Sequence, residues 1–308
     1  MTIFGPPSPT RCGSPRGETD MAILVDRDTR VLVQGITGKS GILQTKSLID
    51  YGTVVVAGVT PGKAGTAVEG VPVFNSVADA VRDVSPNAAI SFVPPLFAKD
   101  AAMEAMESGI KLLVLTMEGI PKHDVLDILS YASGRGVRVL GPGTAGVISP
   151  GKCKLGAHPA RMFREGKVGV VSKSGALSYE VGKTLTDAGI GQSTVVALGG
   201  GPIWGTTQRD IVKLFNEDPE TEIIVLLGEI GGGTEIAAAE FIAESVRKPV
   251  VSLIVGRAAP EGKSLGHAGA IIRGNKGTAA SKMEALEKAG ACLATSPAQV
   301  VELIRKLG

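Results

Sequence analysis

The amino-acid sequence predicts an α/β protein of two domains. The first is a doubly wound parallel sheet, and the second is an α/β unit of flavodoxin-like content. Three observations carry this. From Met21 onward, short β-branched runs alternate with amphipathic helical stretches. Those strands are apolar along their whole length, the pattern of a parallel sheet covered on both faces. Glycine reaches 42 of 308 residues without a collagen-like period, as a chain with many strand-to-helix turns requires. The length suits two domains of roughly 150 residues, and 44% apolar residues allow each a sizeable core.

Taken in order, RVLVQG (30–35) reads as the first strand and KSGILQTKSLIDYG as a helix with Ile42, Leu43, Leu48 and Ile49 on its apolar side. TVVVAGV (53–59) is a strand, SVADAVRDV a helix, AAISFV (88–93) a strand and FAKDAAMEAMESG a helix. IKLLVLT (110–116), KHDVLDILSYASGRG and VRVLG (137–141) complete the first domain as strand, helix and strand. A stretch rich in Gly, Pro and basic residues, 142–166, reads as an irregular linker, and the division is predicted as 21–146 and 147–308. In the second domain KVGVVS (167–172), TVVALG (194–199), EIIVLLG (222–228), PVVSLIVG (249–256) and ACLAT (291–295) read as strands with helices between them, and PAQVVELIRKL closes the chain. Residues 1–20, rich in Pro, Gly and Ser, lack the apolar core of a secretory signal. Glu18 and Asp20 disfavour a transit peptide, so a disordered extension is expected.

Composition excludes several classes. Aromatics are 4% with one Trp, which gives little for stacking on nucleobases. Net charge is +2 with no basic stripe to follow a phosphate backbone. Cys12, Cys153 and Cys292 are far apart and form no CxxC, which argues against disulfides and zinc. No apolar run reaches the roughly 18 residues of a membrane span. A cytoplasmic protein with neither nucleic acid nor membrane as partner is expected.

Three glycine-rich turns carry the chemistry. QGITGKSG (34–41) joins the first strand to the first helix. It is not a Walker A loop, because position 33 is valine, nor GxGxxG. Backbone N–H groups from Thr37, Gly38, Lys39 and Ser40 nevertheless point from a helix start toward an anion, with Lys39 adding charge. VTPGKAG (59–65) brings Lys63 to the same sheet edge, and TMEG (116–119) ends the fourth strand there. Together they suit a polyphosphorylated, adenine-containing ligand. VSKSGALSYE (171–180) leads the second domain's first strand into a helix through Ser174 and Gly175. GxSxG is absent, so a hydrolase elbow is not indicated.

GEIGG (228–232) ends a strand with Glu229, and GHAGAII places His267 in the loop after the next strand. Alone, a histidine on a glycine-rich loop is an idle surface group. Beside a carboxylate and a helix N-terminus on one carboxyl edge, it reads differently. Glu229 would hold one ring nitrogen and raise the basicity of the other, which becomes a nucleophile. A phosphoryl group there would be dianionic and would draw on helix N–H dipoles, each worth about 0.3–1 kcal/mol.

The segments GITGKSG, GVTPGKAGT, GIP, SPGKCKLG, GKVGVVSKSGALSYE, DPETEIIVLLGEIGG and GHAGAIIRGNKGTAASKMEALEKAG resemble the α subunit of succinyl-CoA synthetase and its relatives, from about Met21 to the C-terminus. The resemblance implies a Rossmann-like CoA-binding domain followed by a ligase domain. It implies that His267 is the phosphorylated histidine and Glu229 its supporting carboxylate. Thr37, Gly38, Lys39, Ser40, Lys63, Thr116, Met117 and Glu118 would hold CoA. Tyr179, with Ser174 and Gly175, would lie at the substrate site. A β subunit with an ATP-grasp domain would bind ATP or GTP with magnesium, in an αβ or α2β2 assembly. The reaction implied is formation of an acyl-CoA from a small carboxylate through phosphohistidine and an acyl phosphate.

The sequence departs from the family pattern at three places. GPGTAG (141–146) stands where Asn–Cys usually follows Gly-Pro, Lys173 stands for an arginine, and GGGPIWG (199–205) lacks an acid and gains Trp204. Two alternatives follow: a ligase for malate, citrate or another di- or tricarboxylate, and a CoA-binding regulatory protein without chemistry. The intact His267 and Glu229 argue against the second. His123 and His158 are expected as surface or linker residues, and Cys153 and Cys292 as inert.

Overall fold

The computed structural model describes residues 23–260, 266–272 and 277–308. The extension expected over residues 1–20 lies outside them. The first domain is built on β1 (Arg30–Gln34), β2 (Val54–Val59), β3 (Ala67–Val68), β4 (Val71–Phe74), β5 (Ala88–Ser91), β6 (Leu112–Leu115) and β7 (Arg138–Leu140). They lie in the order β3-β4-β2-β1-β5-β6-β7. Only the β3–β4 pair is antiparallel; the rest follow the Rossmann order, in which the chain reverses direction across the sheet beside β1.

Helices α1 (Lys39–Tyr51), α2 (Val77–Val84), α3 (Ala98–Glu107) and α4 (Lys122–Arg135) cover this sheet unequally. Alternate strand residues such as Leu32, Ala89 and Leu113 pack with Val77, Ala102 and Ile128 of α2, α3 and α4. The opposite set, including Val31, Val33, Ile90 and Val114, packs with Leu48 of α1 and joins Val147, Leu155 and Val196 of the second domain in one core. Both faces are buried, which is why these strands are continuously apolar.

The second domain contains β8 (Gly146–Ser149), β9 (Cys153–Gly156), β10 (Glu165–Ser172), β11 (Gln192–Ala197), β12 (Ile223–Glu229), β13 (Val250–Val255) and β14 (Cys292–Ala294). The order is β14-β13-β12-β10-β11-β8-β9. From β14 to β11 the strands are parallel in the flavodoxin order, and β8 and β9 add an antiparallel hairpin at the β11 edge. Helices α5 (Gly175–Asp187), α6 (Gln208–Glu217), α7 (Thr234–Ser245), α8 (Ala279–Lys288) and α9 (Pro297–Leu307) complete it.

Two expectations are corrected here. The stretch 142–166 is not an irregular linker but contains the β8–β9 hairpin, and β3 and β4 interrupt the expected passage from the second strand to α2. In both, Gly and Pro mark turns between strands too short to show a period. His158 is likewise no surface or linker residue. It is fully buried, set edge-on to Phe163 and Tyr179 with centroids 5.5 and 5.4 Å away. Burial, then the Lys154 ammonium, lowers its pKa to about 3, and the Ala145 backbone only partly opposes them.

Cys153 is buried, and desolvation pushes its thiol up to about 12, so it stays protonated and unreactive. Among the described residues no helix is long and apolar enough to cross a membrane.

The hairpin also joins the domains. Thr53 Oγ1 donates to Lys154 O at 2.8 Å and accepts from Lys154 N–H at 3.1 Å. Lys154 Nζ donates to Ser47 Oγ at 2.7 Å.

Candidate functional site

The site forms where the second sheet changes direction. The chain leaves β10 through α5 toward β11, and leaves β12 through α7 toward β13, so the two loops diverge and open a crevice at the carboxyl edge. Ser172 ends β10 and Glu229 ends β12. Ser172 Oγ accepts from Ser174 N–H at 3.1 Å and donates to Ser174 O at 2.7 Å, which shapes the turn into α5. Ser174 Oγ then caps that helix, accepting from Leu177 N–H at 3.3 Å.

His267 enters from the loop between β13 and α8. Its Nδ1 lies 2.7 Å from Glu229 Oε2. Glu229 is nearly buried and His267 about one-third exposed, so the pair sits at a boundary where a held imidazole still meets solvent. A carboxylate accepting from Nδ1–H selects the tautomer whose Nε2 carries the lone pair.

The glycines of the motifs are explained by backbone crowding here. At Gly231 φ is +86°, and a Cβ would stand 2.2 Å from Gly269 O. A Cβ on Gly200 would stand 2.4 Å from both Cγ and Cδ2 of His267. Gly269 N–H also bonds Gly200 O at 3.1 Å. The 199–205 turn therefore backs the imidazole, a contact that sequence reading did not find.

Beneath the pair lies a buried ionic cluster that was also missed. Lys282 Nζ donates to Glu229 O and Gly231 O, each at 2.6 Å, and to Glu235 Oε2 at 2.5 Å. Lys173 Nζ lies 2.9 Å from Glu235 Oε1 and 5.1 Å from the centre of the Trp204 ring. Lys282 and Glu235 are fully buried and Lys173 almost so. Two of the departures from the family pattern, Lys173 and Trp204, are thus in contact. Nothing in the sequence signals Lys282, because a helix lysine is ordinarily a solvated one.

A cavity of about 230 Å³ joins the domains. His267, Gly200 and Ile203 line it from one side, and Glu118, Gly119 and Lys122 from the other. A second cavity, of about 860 Å³, lies across the histidine loop, with Ala268 in both walls and Trp204, Gly232 and Thr234 in its own.

The remaining predicted residues fall along the carboxyl edge of the first sheet. Gly38 caps α1 without a side chain, and no acid occupies the first turn. Thr37 Oγ1 donates to Thr60 Oγ1 at 3.1 Å, tying this turn to the end of β2. Lys39, Ser40 and Lys63 are exposed there. Thr116 Oγ1 donates to Ser91 O at 2.8 Å, and Met117 O accepts from Gly143 N–H at 3.0 Å. Glu118 thus reaches the same cavity as His267, while Thr37–Ser40 and Lys63 lie farther along the edge. Tyr179, Ser174 and Gly175 do not line that cavity. Tyr179 packs on His158 and Phe163, and burial raises its pKa.

A Rossmann-order domain with exposed Lys39 and Lys63 on its carboxyl edge, beside a carboxylate-held histidine on a flavodoxin-order domain, is the arrangement expected of an acid–CoA ligase, and the comparisons with known proteins give that class. Residues 26–119 match the CoA binding domain family and residues 171–292 the CoA-ligase family. The chain is 52% identical over 289 residues to the succinate–CoA ligase [ADP-forming] subunit alpha of Aquifex aeolicus, covering 93% of this chain and 95% of that one. It is 52% identical over 287 residues to the corresponding subunit alpha 2 of Archaeoglobus fulgidus, covering 93% and 100%. The chain belongs to the succinate–CoA ligase α-subunit family. Among solved structures it resembles ATP citrate lyase from Methanothrix soehngenii in complex with citrate and coenzyme A, at TM-score 0.83 and 25% identity. That match covers 93% of this chain and 52% of the lyase chain, so this chain spans about half the length of the lyase.

Proposed function

We propose that this chain is the phosphohistidine-carrying subunit of an ADP-forming succinate–CoA ligase. The observation that carries the reading is the 2.7 Å contact of His267 Nδ1 with Glu229 Oε2, on the rim of a cavity shared with the first domain. The names of the relatives favour succinate over the larger acids. A partner subunit with an ATP-grasp site supplies ATP and magnesium. Residues 21–146 act as the CoA-binding domain and 147–308 as the ligase domain.

The chemistry runs in three displacements. His267 Nε2 attacks the γ-phosphorus of ATP, the bond to the bridging oxygen breaks, and ADP departs. Glu229 holds the Nδ1 proton throughout and stabilises the positive charge that develops on the ring. The N–H groups at the start of α5 face the new dianion. A succinate carboxylate oxygen then attacks phosphorus, the P–N bond breaks, and succinyl phosphate forms. The CoA sulfur attacks the acyl carbon, the C–O bond breaks, and inorganic phosphate leaves with the thiol proton. Tyr179, Ser174 and Gly175 serve the acyl end. CoA lies along Thr37, Gly38, Lys39, Ser40 and Lys63, and Thr116, Met117 and Glu118 lead its arm to the cavity. Binding of the distant phosphates positions the thiol, an orientation effect.

The test is direct. The chain is mixed with its own partner subunit and ATP labelled in the γ-phosphate. Acid-labile label on this chain is expected, absent in His267→Asn and discharged by succinate with CoA. Label that persists in His267→Asn, or no label at all, refutes the reading.

A further inference from the structure

The cluster under the histidine loop has an unusual charge arrangement. Two buried lysines share one carboxylate, Glu235, which spends one oxygen on each. Lys173 is met by that oxygen, by the Trp204 face and by a long bond to Gly231 O at 3.4 Å, and it does not reach Glu229 O. Lys282 has a different set of partners. Besides Glu235 it takes two backbone carbonyls, Glu229 O and Gly231 O, on either side of Ile230. One ammonium therefore gathers the end of β12, the turn that follows it and the first turn of α7. Glu235 adds to this by accepting from Glu229 N–H at 3.2 Å through Oε1. The Glu229 backbone is held at both its N–H and its C=O, directly under the carboxylate that meets His267.

Burying a lysine costs stability unless its charge is met. Desolvation pulls the Lys282 ammonium below the usual lysine range, and Glu235 works against that fall. A neutral apolar side chain would fill the same space on α8 with no such cost. The bonds to the two carbonyls are what the apolar residue could not make.

We propose that Lys282 is a positioning residue for phosphoryl transfer: by binding Glu229 O, Gly231 O and Glu235 it fixes the Glu229 carboxylate under His267 Nδ1 and so keeps the lone pair on Nε2. The proposal rests on the phosphohistidine reading for its consequence in catalysis, while its structural core concerns this chain alone. Lys282 touches no reacting atom; it acts through Glu229.

The geometry offers a clean substitution. In Lys282→Met the Lys173–Glu235 pair remains one-to-one, so no buried charge is stranded. Nitrogen-15 NMR of the imidazole reads the tautomer in the isolated chain. The unsubstituted protein is expected to show His267 with its proton on Nδ1. In Lys282→Met the population moves toward the Nε2–H form that a loosely held histidine prefers. With the partner subunit and ATP, phosphohistidine formation is expected to slow by about 10–100-fold, the usual consequence of removing a support behind a functional side chain. CoA affinity is expected to stay as it was.

Lys282→Gln is the second variant. Its amide ends short of the ammonium position and reaches at most one of the three acceptors, so a partial tautomer shift is expected. An unchanged tautomer in either variant overturns the proposal. Should the unsubstituted complex form no phosphohistidine, the functional reading fails, yet the tautomer comparison still decides the role of Lys282.

Discussion

At the scale of single residues, the site is a matter of what presses on one imidazole. Glu229 holds it from one side, and the bare backbone of Gly200 supports it from another. The space at Gly200 is already filled by the ring: a methyl group there would lie 2.4 Å from two ring carbons. Such crowding costs about 1–3 kcal/mol when the neighbour can move, and here the neighbour that must move is His267. Gly200→Ala is therefore expected to swing the ring away from Glu229. Phosphohistidine formation should fall about 10–100-fold, with CoA affinity unaltered. Rapid-quench labelling beside calorimetric CoA titration measures both, and an undiminished rate would contradict the contact. Residues of this kind were hidden in the sequence. His267 and Glu229 announced themselves through glycine-rich strand ends. Gly200 and Lys282 become functional only through partners brought near by the fold.

At the scale of elements, the long parallel strands and their helices were legible, because burial on both faces writes an unbroken apolar run. The β3–β4 and β8–β9 pairs were not. Antiparallel pairs at a sheet edge depend on a neighbour for half their bonds, and Pro72, Gly146 and Gly156 make their sequences read as turns. The start of α1 was read from its glycines, and the structure adds that its first turn carries no acid. That absence is unfavourable for the helix alone, since a carboxylate there would gain about 0.3–1 kcal/mol from the N–H dipoles. It is favourable for a phosphate that needs the same dipoles. Ser40→Asp should separate the two effects with opposite signs. Thermal stability of the free protein is expected to rise slightly, while CoA affinity falls by about tenfold or more from the lost charge complementarity. A variant that is both more stable and equally tight for CoA would remove the phosphate from that helix.

For the whole molecule, the question is whether two domains behave as one body. Two-domain chains commonly unfold in separate steps, and interfaces within a chain are ordinarily polar and yielding. This one is neither. Val31, Ile36 and Leu48 share an uninterrupted core with Val147, Leu155 and Val196, and the Thr53–Lys154 pair seals it with two buried hydrogen bonds. The cavity between Glu118 and His267 has its walls on different domains, so its width is set by that seam. Scanning calorimetry is accordingly expected to show a single cooperative transition spanning both sheets. Thr53→Val keeps the shape of the buried side chain but strands Lys154 N–H, at a cost of about 1–3 kcal/mol. The melting point should drop by several degrees, about 2–4 °C for each kcal/mol in a chain of this size class, with the transition still single. On the proposed mechanism the phosphorylated His267 and its Glu229 support both lie in the second domain, so phosphohistidine formation should persist, whereas transfer of the acyl group to CoA slows. Two resolved transitions in the unsubstituted protein would mean that the seam does not hold the domains together, and that the distance CoA's sulfur must span is set by something else.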